Sequence, residues 1–255
     1  MLNLESVYNQ YHVKVYNLAY RMTGNRDDAS DITQETFEQA LKSIHKFKGE
    51  SQIYTWLYSI AKNNCLRHLK KKQRSNFNNL QMLADKVSSP VAEFTEAEKS
   101  SYIEQVKDGC LSGLLRCLSL QQRVAFILNV LLDVPLDQVA LIIEKTENAT
   151  RILTHRARQN IREYLCNNCS LYDSGNRCRC ENLINFSLKQ GWIGKDLEFT
   201  KNISQAEKEI KDLKSEISLY KTLAEIAPTN ANDQQIKRLL AQNEDFLVLT
   251  DKKVK

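Results

Sequence analysis

The chain has 255 residues, enough for two or three small domains that each bury a core of their own. Only 7 Gly and 3 Pro stand against 42% hydrophobic and 26% charged residues, which excludes a turn-rich sheet protein and points to an all-α fold. A net charge of +5 defines no partner by itself, so the placement of the charges decides.

The opening MLNLESVYNQ carries no basic leader followed by an apolar block, and no apolar run nears the roughly 20 residues of a membrane span. A cytoplasmic protein without membrane contact is therefore expected. Val7, Tyr11, Val15, Leu18, Ala19 and Met22 recur at helical spacing. TGNRDD breaks the pattern with residues able to cap a second helix, which carries Ile32, Thr36, Phe37, Ala40, Leu41 and Ile44. After the loop HKFKGES, with Ser51 as its expected N-cap, a third helix turns Ile53, Trp56, Leu57, Ile60 and Ala61 inward. Its end is cationic, with six Lys or Arg and no acid from Lys62 to Arg74. These helices form a first domain, residues 1–74.

Residues 75–109 are polar and read as a linker, in which a helix can begin after Pro90. A second helical domain follows at 110–165. Ser119 and Gln122 fit a capping box. Leu136, Val139, Ala140 and Ile143 mark a short helix, EKT a tight turn, and Thr146 the cap of a last helix. There Ala149, Leu153, Ala157, Ile161 and Leu165 form one stripe, opposed by Arg151, His155, Arg158 and Arg162. A short helix, a three-residue turn and a basic helix have helix-turn-helix geometry. A basic helix end is by itself a solvated surface as readily as a binding site. Two of them in tethered domains can hold two segments of one nucleic acid.

Beyond Leu165 lie a Cys-rich module, 166–200, and an amphipathic helical tail, 201–255. Cys166, Cys169, Cys178 and Cys180 have the spacing Cys-x2-Cys, eight residues, Cys-x-Cys, which can close a tetrahedral zinc site around the turn DSGN. A redox-sensing thiol set and inert cysteines are the alternatives. Residues 203–220 carry a heptad, Ile203, Ile210 and Ile217 with Ala206, Leu213 and Tyr220, flanked by Glu209, Glu216, Lys214 and Lys221 in the order of a parallel homodimer. Docking on the protein's own surface explains it equally well.

The stretch from DDASDITQETF to CLRHLKKKQR resembles the second domain of bacterial sigma factors of the extracytoplasmic-function group. LSLQQRVAFILNVLLDVPLDQVALIIEKTENATRILTHRARQNIREYL resembles their fourth domain, down to HRAR in the recognition helix. The resemblance implies a non-enzymatic promoter-specificity subunit with core RNA polymerase and promoter DNA as partners, and an anti-sigma factor as a further one. It implies a polymerase surface at Asp31, Gln34, Glu35 and Phe37. Capture of the melted −10 element is implied at Lys48, Ser51, Tyr54, Lys62, Asn63, Arg67 and Lys70, an aromatic suiting a flipped base. Trp56 shares the stripe of Ile53 and Ile60 and reads as core. The −35 element would be read through Thr146, Thr150, Arg151, Thr154, His155, Arg158 and Arg162. The Cys module does not follow the His-x3-Cys-x2-Cys pattern of zinc-binding anti-sigma factors, because Arg162 stands where the His would be. A stand-alone helix-turn-helix regulator is the competing reading, and a thiol or zinc sensor that only docks on polymerase is a third.

Overall fold

The computed structural model describes residues 4–47, 49, 51–70, 77–87, 93–190 and 192–194. The heptad 203–220, the tail 225–255 and Lys48 lie outside the described residues. Within them the fold is helical: α1 Leu4–Thr23, α2 Arg26–Ser43, α3 Ile53–Leu69, α4 Phe77–Val87, α5 Glu96–Cys117, α6 Leu120–Phe126, α7 Leu136–Ile143, α8 Glu147–Asn168 and α9 Ile184–Lys189. A π-turn, Ile127–Leu131, extends α6. No strand forms among the described residues, where Cys169 and Cys178 make an isolated parallel bridge. No helix among them is long and apolar enough to cross a membrane.

The chain folds into two compact units. The first joins α1, α2 and α3 with residues 127–151. Its core comes from one face of each of the first three helices: Val7, Val15, Leu18 and Met22 of α1, Ile32, Phe37 and Ala40 of α2, and Leu57, Tyr58, Ala61 and Cys65 of α3. Burying a side chain the size of Leu or Phe stabilises by about 1.5–3 kcal/mol, so this stripe outweighs every polar contact around it. The Phe37 ring sets its edge on Tyr8, centroids 4.8 Å apart. Gly24, at φ 69, ends the first turn region, and the Asn25 side chain accepts from the Asp28 amide at 2.9 Å to start α2. At α3 the expected cap differs. Gln52, not Ser51, holds the N-cap position and makes no side-chain cap bond.

The second unit joins α4, α5 and α6 with α8 from Ile152, the cysteine turn and α9. The segment read as a linker is largely helical here. Thr95 and Glu98 start α5 with a full capping box, the Thr95 amide donating to Glu98 at 3.2 Å and the Glu98 amide to Thr95 at 3.3 Å. Ahead of it, α4 docks through Leu80, whose methyl would stand 3.2 Å from a β-carbon at Gly113 of α5. Phe77 and Gln81 meet Tyr164 of α8, by ring contact at 5.6 Å and by a hydroxyl-to-amide bond of 3.0 Å. Polar composition hid these helices because α4 buries no residue fully and anchors by a few side chains.

The Cys-rich module is integral to this unit. Tyr102 and Val106 of α5 pack with Ile184 and Ile193, and Cys180 and Leu183 close over them. The buried Gln105 amide exchanges hydrogen bonds with the Gly194 backbone, donating at 3.2 Å and accepting at 2.9 Å. A capping box at Ser119 and Gln122 starts α6 as expected.

Candidate nucleic-acid interface

Helix α2 presents the polar face expected of it. Asp31 is exposed, Gln34 and Glu35 are half-buried, and Gln34 donates to Glu38 one turn on at 2.9 Å. Phe37 does not belong to that face. At 1% exposure it is core, because the α2 stripe that buries Ile32 continues through Thr36 and Phe37.

Helix α3 departs further from expectation. Leu57, Tyr58, Ala61, Cys65 and Leu69 are its buried apolar residues, while Ile53, Trp56 and Ile60 are only half-buried. Trp56 lies against Phe47 at 5.3 Å on the rim of the domain, neither free wedge nor full core. Ser51 is half-buried in the loop. Tyr54 belongs to the first turn of the helix, its ring 6.4 Å from Tyr11 and 6.1 Å from Tyr58. Asn63 and Lys70 are exposed, as a backbone-tracking surface requires.

Lys62 is not. It retains 5% exposure, and its Nζ donates to Glu144 Oε1 at 2.8 Å. One face along, the buried Thr55 hydroxyl donates to Gln138 of α7 at 2.8 Å. The Lys62 ammonium holds the exposed Glu144 carboxyl below the usual carboxylate range, first by hydrogen bonding and then by charge. Arg67 is occupied too, donating to Glu35 of α2 at 2.5 Å and to Asn64 at 2.9 Å. Periodicity could not reveal the parts played by Thr55, Gln138 and Glu144, because each partner lies far along the chain.

The turn and cap before α8 follow expectation. Thr146 accepts from the Ala149 amide at 3.2 Å. Arg151, His155 and Arg162 are exposed and Arg158 is partly so, against buried Ala157, Ile161 and Leu165. Arg151 pairs along its own helix with Glu147 at 2.7 Å. Two residues leave the expected reading set. Thr150 is fully buried, its hydroxyl returned to the Thr146 carbonyl at 2.9 Å, and Thr154 is 3% exposed. Both fall on the inward side that the apolar stripe defines.

The cysteine turn is built by backbone. The Cys178 amide donates to Asn168 at 3.2 Å and the Ser170 amide to Cys178 at 3.1 Å, which sets Cys169 beside Cys178. Asp173 accepts from the Gly175 amide, and Asn176 donates to the Cys166 and Cys169 carbonyls, so DSGN is the expected turn. Burial pushes the Cys178 thiol up to about 11 and the Cys180 thiol up to about 12, and raises that of Cys169. Cys110 of α5 is raised first by burial and then by the nearby thiols of Cys180, Cys178 and Cys169, while Cys166 stands exposed. Among the described residues no three His, Cys, Asp or Glu side chains are grouped to hold a metal ion.

Comparison with known proteins bears on both basic helices. Residues 7–75 match Sigma-70 region 2, and residues 108–161 match Sigma-70, region 4. RNA polymerase sigma factor YlaC of Bacillus subtilis is 25% identical over 162 residues, covering 63% of this chain and 91% of its own length. ECF RNA polymerase sigma factor SigE of Mycolicibacterium smegmatis is 28% identical over 170 residues, 67% of this chain and 64% of its own. The solved complex of the sigma factor RpoE with the anti-sigma factor NepR from Bartonella quintana covers 63% of this chain and 95% of its own, at 19% identity and a TM-score of 0.46. With α2 and α3 inside the first matched region and α7 and about two thirds of α8 inside the second, in that order, the chain carries both Sigma-70 regions and is similar to the extracytoplasmic-function, or group IV, sigma factors of bacterial RNA polymerase.

Proposed function

We propose that the chain is an alternative sigma factor, acting in the cytoplasm, that carries core RNA polymerase to a particular set of promoters and aids their opening. The observation that carries this reading is the order of the two matched regions together with the polar face of α2. Asp31, Gln34 and Glu35 dock on the polymerase. The exposed cations of α8 read the upstream element, Arg151 and His155 reaching base edges and Arg158 and Arg162 holding phosphates. Asn63, Lys70 and Arg67 follow the backbone of the opened strand. Opening draws its energy from binding the unpaired strand, with no bond made or broken by the protein.

Binding to purified core polymerase tests the docking step. The wild-type chain should form a complex that the double change Gln34→Ala, Glu35→Ala weakens at least about tenfold, the scale of an interface hot spot. A chain that binds duplex DNA but not polymerase would instead be a stand-alone helix-turn-helix regulator.

Three finer assignments complete the reading. The extension after Leu165 regulates activity, an anti-sigma partner restrains the free protein, and the cysteine turn takes up zinc. Support for zinc is the side-by-side setting of Cys169 and Cys178, with Cys180 and Cys110 at hand. As they stand the thiols form no metal-holding group, and binding would require their deprotonation. Native mass spectrometry should find one zinc per chain that disappears in Cys178→Ser. A metal-free, fully reduced chain overturns the assignment.

A further inference from the structure

Buried lysines are rare unless paired, and Lys62 is paired with a residue that is itself out of the ordinary. Glu144 caps the C-terminus of α7 at φ 56 and ψ 49, the left-handed region that favours glycine at this position. Its amide closes the turn on the Leu141 carbonyl at 3.2 Å, a bond that glycine would make as well. What glycine cannot supply is the carboxylate, and the carboxylate is what grips Lys62. Strain kept at such a site points to a use for the side chain.

The contact has a second point. Thr55 lies seven residues before Lys62, two turns away on the same face of α3, and its hydroxyl donates to Gln138. Helix α7 is therefore fastened along α3 at both ends, over residues of the face that would run beside DNA. The two sides of the ion pair differ greatly: the Lys62 side chain is 6% exposed and that of Glu144 is 77% exposed. Opening returns a carboxylate that is already solvated to water, so only Lys62 needs a new partner. A nucleic-acid phosphate offers it the same charge-assisted bond.

We infer that the α3–α7 contact is an autoinhibitory latch, in which Glu144 and Gln138 hold Lys62 and Thr55 and mask the promoter-facing side of α3 until a nucleic-acid phosphate takes the place of Glu144. The inference rests on the sigma reading for its biological meaning, and on the two contacts between α3 and α7 for its existence. A latch closed about nine-tenths of the time lowers apparent affinity about tenfold, and releasing it restores that factor.

Lysine acylation of the full chain, followed by peptide mass spectrometry, reads the latch directly, with the exposed Lys14 and Lys42 as internal references. Lys62 should react at least about tenfold more slowly than either, as expected of a group exposed only on opening. Glu144→Gly removes the carboxylate and suits the turn, and Gln138→Ala removes the second bond without changing charge. Both should release Lys62 with unchanged circular dichroism. Both should also tighten binding to a labelled mixed-sequence single-stranded DNA, Glu144→Gly by up to about tenfold. Lys62 reacting like Lys14 in the wild-type chain overturns the latch. Release of Lys62 without any gain in DNA binding makes the contact mere packing and overturns its regulatory role, leaving the sigma reading intact. Release with tighter DNA binding, but no complex with core polymerase, supports the latch and sinks the sigma reading instead.

Discussion

Helices α3 and α8 both carry cations that the proposed function assigns to nucleic acid, yet they hold them in different states. On α8, Arg151 is exposed and its partner Glu147 is one turn away on the same helix. On α3, Lys62 is buried against a carboxylate 82 residues along the chain, and Arg67 reaches one 32 residues back. An exposed i,i+4 pair contributes a few tenths of a kcal/mol, so α8 can exchange its partner for a phosphate freely. A buried lysine can only trade one close partner for another. On the proposed reading, one helix is ready for DNA and the other is conditional.

The largest effect that bears on this contrast is on the buried sides that orient both helices. Leu57→Ala on α3 and Ile161→Ala on α8 should each cost about 2–5 kcal/mol in chemical denaturation, since both are core residues. A loss under about 1 kcal/mol would mean that the stripe, and with it the cationic face, is wrongly placed. Next come the ready cations. Arg151→Ala should weaken promoter binding by about 1–3 kcal/mol and relax specificity at one base pair. Arg162→Ala should weaken binding to all sequences alike and lower the salt slope by about 0.9. A third test concerns the second unit in isolation from any DNA. Its thiols at Cys178 and Cys180 titrate at about 11 and about 12 when folded, above their unfolded value. The protonated thiols thus contribute stability that is fully present below the unfolded value of about 8.5 and is lost as pH rises through the folded values. Thermal scans between pH 8 and 11 should show a steady fall, smaller in Cys180→Ala; a flat profile would mean the thiols are already solvated or bound. The smallest effect is Arg67→Ala. Both partners of that pair are about half exposed, so its loss should cost less than about 1 kcal/mol in the same denaturation assay.

Legibility followed the range of the interaction. The stripe of α1, the Asn25 and Thr146 caps, the capping box at Ser119 and the inward and outward faces of α8 are all local, and spacing alone reveals them. Thr95 and Glu98 offered the same signal for α5, although the polar run around them reads as a linker. What periodicity could not reveal is a partner brought by the fold: Glu144 against Lys62, Gln105 against Gly194, Cys110 beside the cysteine turn. Phe37, Thr150 and Thr154 erred in the opposite direction. Each sits in a motif that the resemblance assigns to a partner, and each is claimed by the core because its helical position faces inward.

The central claim is that this chain gives core polymerase its promoters. Mapping transcript 5′ ends after incubating purified core polymerase and genomic DNA, with and without the chain, tests it most directly. Start sites should appear only with the chain, share one upstream and one downstream element, and disappear with Gln34→Ala, Glu35→Ala. No new start sites, from a folded chain that still binds duplex DNA, would contradict it.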